Sequence, residues 1–292
     1  MNGGLLLGAS VLGLLLGGIY GLMASGLALT FGVMRVINVG HSALVIAGAY
    51  MSYELFAHLH IDPFVSLVIT MPVMFLIGMG LEMAFLQHLR EDREQFSVLV
   101  TWAIALGVEG VLGYFCGTDL VQISTNYANS SFSIGGVQIV YIYLYGFLLG
   151  ALLMGLLALL LRRTTFGWSL RATVLNRQAA QLIGIDVAKV SAIAFGIAAA
   201  MAAAGGALYG MLNTFNPGSW YDLIGDLLII IVLGGFSSVR GAFIASLVVI
   251  MFQEVLSVII SPTWADWSFF MLLAIVLIVR PSGFFGVKTR EA

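Results

Sequence analysis

Residues 5–33 read LLLGASVLGLLLGGIYGLMASGLALTFGV, a run without one charged side chain. A bilayer's hydrocarbon core, about 30 Å thick, needs roughly 20 apolar residues of helix to cross it. This run exceeds that length. A membrane β-strand would alternate apolar and polar positions over about ten residues, and these Leu/Gly/Ala positions do not alternate. The stretch predicts a transmembrane helix, and its kind recurs along the chain.

Working outward, apolar runs and their punctuation predict helices at about 5–33, 43–57, 64–86, 96–116, 139–161, 191–211, 225–236, 242–260 and 267–280. The expectation is an all-α, polytopic transmembrane helical bundle of about nine segments, some short or interrupted, forming one domain over residues 1–292. Composition agrees. Of 292 residues 61% are hydrophobic and 9% charged, where a soluble domain carries about 25% charged residues. No Lys or Arg precedes Arg35, so the positive n-region of a cleavable signal peptide is missing and the first run is expected to stay in the mature protein.

The cations test this parse. With the N-terminus outside, Arg35, Arg90, Arg93, Arg162, Arg163, Arg171, Arg177, Lys189, Arg240, Arg280, Lys288 and Arg290 all fall on the cytoplasmic side. The external loops carry Asp62, Asp119, Asp222 and Asp266 instead. So complete a bias predicts an external N-terminus and a cytoplasmic C-terminus.

Helix association in lipid depends on close backbone approach at small residues. Ala9, Gly13, Gly17, Gly21 and Ser25 form one four-residue stripe, and Ala198, Ala202, Gly206 and Gly210 form another. Both are expected to be packing faces.

Catalytic signals are missing. Lys189 and Lys288 follow Ala and Val, so there is no Gly-Lys-Ser/Thr phosphate loop. His58, His60 and Asp62 read as a hydrated loop, and no metal site is expected. The net charge of −2 and the absence of a basic patch with interleaved aromatics argue against nucleic acid. A single cysteine, Cys116, allows no internal disulfide. A transporting or path-forming protein with the bilayer as its surroundings is the default that remains.

Two features go further. The apolar run breaks at Asn38-Val39-Gly40-His41-Ser42 and again at Gly234-Gly235-Phe236-Ser237-Ser238-Val239-Arg240-Gly241. Paired, glycine-interrupted segments point to a transport site; ordinary tight turns at the membrane surface are the other reading. Asn38, His41, Gly234 and Gly235 are therefore candidate path or gating residues. So are two embedded carboxylates, Glu109 and Glu254, because such groups face the bundle interior or a watery cavity, although an interhelical hydrogen bond serves them equally. Glu82 lies near the cytoplasmic end of its helix and is expected to reach the headgroups.

The second feature is the cytoplasmic stretch 162–190. Ala172, Leu175, Ala179, Leu182 and Ile183 share one face of an expected amphipathic helix, with Arg171, Asn176 and Gln178 off it and Gly184 as its cap. Such a helix lies on lipid or docks into a partner's groove. Its small, alanine-rich face, with no aromatic inside the helix, suits docking better.

At this loop the chain resembles the permease subunits of bacterial branched-chain amino acid ABC importers, the shorter LivH-type subunit. Four stretches carry the resemblance: Gly32-Val33-Met34-Arg35-Val36-Ile37-Asn38 through His41 to Gly48-Ala49-Tyr50; Arg171-Ala172 through Ala179-Ala180 to Gly184-Ile185; Gly234-Gly235 through Ser238-Val239 to Gly241-Ala242; and Arg280-Pro281-Ser282-Gly283-Phe284-Phe285-Gly286. The family usually has Asn-Phe-Ala-His-Gly-Glu in the first, where Gly40 here precedes His41 and Ala43 replaces the acid. Its third glycine after the Gly-Gly pair is Ser237, and its Arg-Pro-Leu-Arg is Gln87-His88-Leu89-Arg90.

The resemblance implies a permease in the bacterial inner membrane, paired with a second permease subunit, usually a different chain. It also implies two cytoplasmic ATPase subunits that bind ATP and Mg, and a periplasmic substrate-binding protein. This chain would then hold no cofactor, and Arg171, Ala172, Asn176, Ala179, Ala180, Gly184 and Ile185 would form the ATPase-coupling loop. Branched-chain or related small amino acids are the implied cargo, with urea, amides or small aromatic acids as alternatives. A stand-alone channel or secondary carrier stays open as a different class.

Overall fold

The computed structural model describes residues 3–89, 93–125, 127, 130–134 and 137–279. The helices are α1 (Gly3–Met34), α2 (His41–Leu59), α3 (Pro63–Ala84), α4 (Arg93–Cys116), α5 (Tyr141–Arg163), α6 (Thr165–Leu175), α7 (Arg177–Leu182), α8 (Val187–Leu212), α9 (Trp220–Gly234), α10 (Val239–Ile259) and α11 (Pro262–Val279). A hairpin of β1 (Ser131–Ile134) and β2 (Val137–Val140), paired antiparallel with Ser131 opposite Val140, precedes α5. All nine expected segments are helices, and seven of the described helices are long and apolar enough to cross a membrane. The protein is an all-α, multi-pass membrane protein.

Hydrocarbon offers a backbone no hydrogen-bond partner, so helices satisfy it internally, and the ends are capped locally. Asp62 accepts from the Phe64 N–H at 2.9 Å and Pro63 opens α3. Two helix starts differ most from the sequence reading. A short 3₁₀ turn at Pro217–Ser219 carries the chain into α9 five residues early, so Asp222 lies in that helix's first turn. Pro262 likewise starts α11 ahead of 267.

Both small-residue stripes are packing faces. Along α1, a Cβ added to Gly13 would stand 2.6 Å from the Met251 Cα, and one on Gly17 2.8 Å from the Leu247 Cα, so α1 and α10 meet backbone to backbone. The Ser246 hydroxyl reinforces this contact by donating to the Gly17 carbonyl at 2.8 Å. Helix α8 is the buried hub. Ala198 and Ala202 are sealed, a Cβ on Gly206 would collide with the Val45 carbonyl of α2, and one on Gly78 of α3 would stand 3.1 Å from the Phe195 carbonyl. Val68, Leu76, Leu99, Leu152 and Leu156 on α3, α4 and α5 point outward, as lipid-facing residues do. At the opposite end from α6 and α7, Val121 and Phe215 exchange two 2.9 Å backbone hydrogen bonds that close the end of α8.

Candidate functional site

The first break lies inside the protein. Val36, Asn38, Val39 and Gly40 are all buried, so their backbone needs partners. Helix α4 supplies them. The Ser97 hydroxyl accepts from the Ile37 N–H at 3.2 Å, and the Thr101 hydroxyl accepts from the Val39 N–H at 3.1 Å. Before the break, Arg35 adopts a left-handed backbone with φ of 50°, strained for a residue with a Cβ. Ser97 and Thr101 were not singled out from sequence. A hydroxyl in an apolar helix is usually satisfied by its own preceding carbonyl, and Thr101 also makes that bond, 2.7 Å to Ser97.

The second break is a turn at the surface. Gly235 takes φ of 87°, Ser237 is exposed, and Ser238 caps α10 by accepting from the Gly241 N–H at 3.0 Å. Gly234 lets α9 and α10 converge, since its added Cβ would stand 2.5 Å from the Gly241 carbonyl. The two breaks lie on the same side of the bundle, because the second packs on the end of α1. Phe31 and Phe236 place their rings 4.9 Å apart, and Gly32 approaches the Ser237 carbonyl.

The other candidates are dispersed. His41 is sealed at the start of α2, where its Nε2–H donates to the Met23 carbonyl of α1 at 3.0 Å. The acceptor is a carbonyl, which fixes the proton on Nε2. Glu109 accepts from the Trp220 indole N–H at 2.8 Å and so ties α4 to α9, with Trp102 edge-on to Trp220 at 5.0 Å. Glu254 sits on α10 beside Gly13 of α1. The two carboxylates therefore belong to different helix contacts. Glu82 differs from expectation: it is 1% exposed, facing inward instead of reaching the headgroups. Its charge acts on Arg177, the first residue of α7, opposing the burial that pushes that guanidinium below its ordinary range.

The loop 162–190 also differs from expectation. The single amphipathic helix is two helices, because Asn176 leaves the helical conformation and caps α7, its side chain accepting from the Ala179 N–H at 3.0 Å. Apolar positions before and after it no longer share one face. Trp168, moreover, lies within α6, so the unit does carry an aromatic. Arg171 crosses the Trp168 ring at 4.4 Å and donates to the Leu161 carbonyl at the end of α5. Gly184 caps α7 with φ of 86°; its N–H reaches the Gln181 carbonyl and the Ile185 N–H the Ala180 carbonyl, both at 3.0 Å, which is the Schellman arrangement. Ala180 is buried and Ala179 exposed. Trp168, Leu175, Leu182 and Ile183 are 66%, 85%, 88% and 74% exposed, an apolar surface that, unlike the transmembrane helices, has no claim on the hydrocarbon core. Between this unit, Gly32–Arg35 and Gln95 lies a cleft of about 640 Å³. The stretch 280–286, Arg90, Lys288 and Arg290 lie outside the described residues.

A bundle of membrane-crossing helices, closely packed through small residues and carrying a compact helix–turn–helix, defines a polytopic membrane protein. Residues 10–279 match the family model for the permease component of the branched-chain amino acid transport system, and the chain belongs to that family. It is 27% identical to the high-affinity branched-chain amino acid transport system permease protein LivH of Escherichia coli K12, over 94% of this chain and 93% of that one. LivH of Salmonella typhimurium gives the same identity and coverage. BraD of Pseudomonas aeruginosa, a permease protein of the same description, is 26% identical over 94% of both chains. The chain is thus similar to LivH-type permeases along nearly its whole length and is a transport subunit. No solved structure matches it.

Proposed function

We propose that this chain is the membrane-spanning permease subunit of an ATP-driven ABC importer and forms half of a translocation path for branched-chain or related small amino acids. It works with a second permease subunit, two cytoplasmic ATPase subunits and a periplasmic substrate-binding protein, in the bacterial inner membrane. Its N-terminus lies outside and its C-terminus in the cytoplasm, as the distribution of cations supports.

The observation that carries this reading is the α6–α7 unit. It projects bulky apolar side chains, Leu175, Leu182 and Ile183, on rigidly capped short helices. Exposed apolar surface of this kind marks a protein contact, and a short helix seated in a groove is an established docking mode. The unit is also tied to the membrane helices, through Arg171 to the end of α5 and through α7 leading directly into α8. ATP-driven movement of a docked ATPase would therefore pull on α5 and α8. Asn38, Gly234 and Gly235 flank the joints at which α1, α2, α9 and α10 could pivot, whereas His41, Glu109 and Glu254 serve helix contacts first.

The test is a mild-detergent pull-down of the tagged chain from its native membrane, with mass-spectrometric identification of what accompanies it. Recovery of ATPase subunits and a second permease, lost on mutating Ala179 to Gly184, supports the importer. Recovery of the chain alone, active in vesicles without ATP, favours a stand-alone channel or carrier.

A further inference from the structure

Adjoining the cleft already described, and sharing Gly32, Val33, Val174 and Leu175 with it, lies a second cleft of about 460 Å³, between the ends of α1 and α5, helix α6, and the start of α10. Its floor is apolar: Leu29, Met154, Ala158, Leu161 and Leu170. Its rim is cationic, with Arg162 from α5, Arg171 from α6 and Arg240 from α10. No acidic residue lines it among the described residues. Helix α10 also begins here, capped by Ser238, and contributes its positive helix terminus.

An occupant must match two chemistries at once. Three arginines lining one cleft call for a phosphate-like anion. The apolar floor beneath them calls for a hydrocarbon tail. The cleft sits at the ends of two membrane-crossing helices, and Leu156 and Leu159 on α5 mark an outward-facing side next to it, so acyl chains are at hand. We infer that this cleft is a binding site for an anionic phospholipid, its headgroup held by Arg162, Arg171 and Arg240 and an acyl chain laid along Met154, Ala158 and Leu170. A soluble anion would satisfy only the rim, and a neutral lipid only the floor. Basic pockets between transmembrane helices suit anionic headgroups for this reason. A lipid bound here touches α5, α6 and α10 together and braces α6, giving its position a dependence on bilayer charge. The inference stands apart from the identity of the cargo.

Native mass spectrometry of the full chain, in micelles containing equal dioleoylphosphatidylglycerol and dioleoylphosphatidylcholine, tests it. The unaltered chain is expected to retain the phosphatidylglycerol about tenfold over the phosphatidylcholine. The Arg162→Gln/Arg240→Gln pair should abolish that preference, and Arg163→Gln, an exposed neighbour outside the cleft, should keep it. Ala158→Phe, which fills the floor and leaves the rim intact, should also abolish it. Equal retention of both lipids by the unaltered chain overturns the inference. So does equal loss in Arg163→Gln, which would signify surface charge alone, or full retention in Ala158→Phe. Displacement of the lipid by millimolar inorganic phosphate would reduce the site to an anion site and overturn the lipid assignment.

Discussion

Replacing Gly17 by alanine tests the packing of the whole bundle at one atom. The new methyl carbon would stand 2.8 Å from both the Leu247 Cα and the Ser246 carbonyl oxygen. Ordinary contact begins at 3.4 Å, so α1 and α10 must part by about 0.6 Å. Neither obstacle is a side-chain tip that can swing away. A radial gap of that size forfeits a quarter or more of each contact's dispersion energy along the interface. It also stretches the 2.8 Å hydrogen bond from Ser246 to the Gly17 carbonyl, worth about 0.6 kcal/mol between membrane helices. Overpacking costs about 1–3 kcal/mol, and alanine's better helix propensity returns up to about 1 kcal/mol. A net loss of about 1–2 kcal/mol is expected. Gly155→Ala, in α5, is the control, since nothing lies within 4 Å of its added Cβ; it should be neutral or slightly stabilising. Reversible unfolding of the two variants in mixed SDS micelles, beside the unaltered chain, gives the difference. Equal stability of Gly17→Ala and Gly155→Ala would refute the claim that α1 and α10 are in backbone contact.

Thr101→Val keeps the shape of α4 and leaves the buried Val39 N–H only the Ile37 carbonyl at 3.2 Å, so the same unfolding measurement should show a loss of about 0.5–1.5 kcal/mol; no loss would mean the break is held by something else. Asn176→Ala removes the cap of α7, worth about 0.5–2 kcal/mol, and hydrogen exchange over residues 177–182 should rise several-fold while α8 is unchanged. Ala179→Glu places a charge on an exposed position of α7, so membrane insertion should persist while uptake into cells or proteoliposomes falls; normal uptake would remove Ala179 from the coupling surface. Trp220→Phe removes the hydrogen bond to Glu109 and also leaves unfilled volume in a sealed site packed on Trp102 and Tyr221, so a loss above the roughly 0.6 kcal/mol of the bond alone with uptake retained is expected, whereas abolished uptake would return Glu109 to the path.

Much of this architecture was legible in the sequence, because lipid leaves so few choices. A backbone crossing hydrocarbon must satisfy itself within the segment, so the run at residues 5–33 fixes its own conformation without reference to any other part of the chain. The small-residue stripes were legible for a related reason: Gly13 and Gly17 announce a close approach whatever the partner. The sequence by itself therefore determined the membrane-spanning helices, two of their packing faces and the family.

Which surfaces meet was another matter, since apolar helices are interchangeable to lipid and only shape and a few polar groups choose between them. That α1 pairs with α10, that α8 is the hub, and that Thr101 holds the buried break at residues 37–39 depend on contacts between residues tens to hundreds of positions apart. The same holds for Glu82, which looked like a headgroup-reaching residue but is sealed inside the fold. It holds too for the loop at 162–190, where periodicity suggested one helix and the Asn176 side chain made two. Period reports the average direction of many side chains, while one local hydrogen bond can end a helix. The tertiary structure decided the pairing, the buried turn and the cleft rimmed by arginines, because each is a property of distance in space that no spacing along the chain encodes.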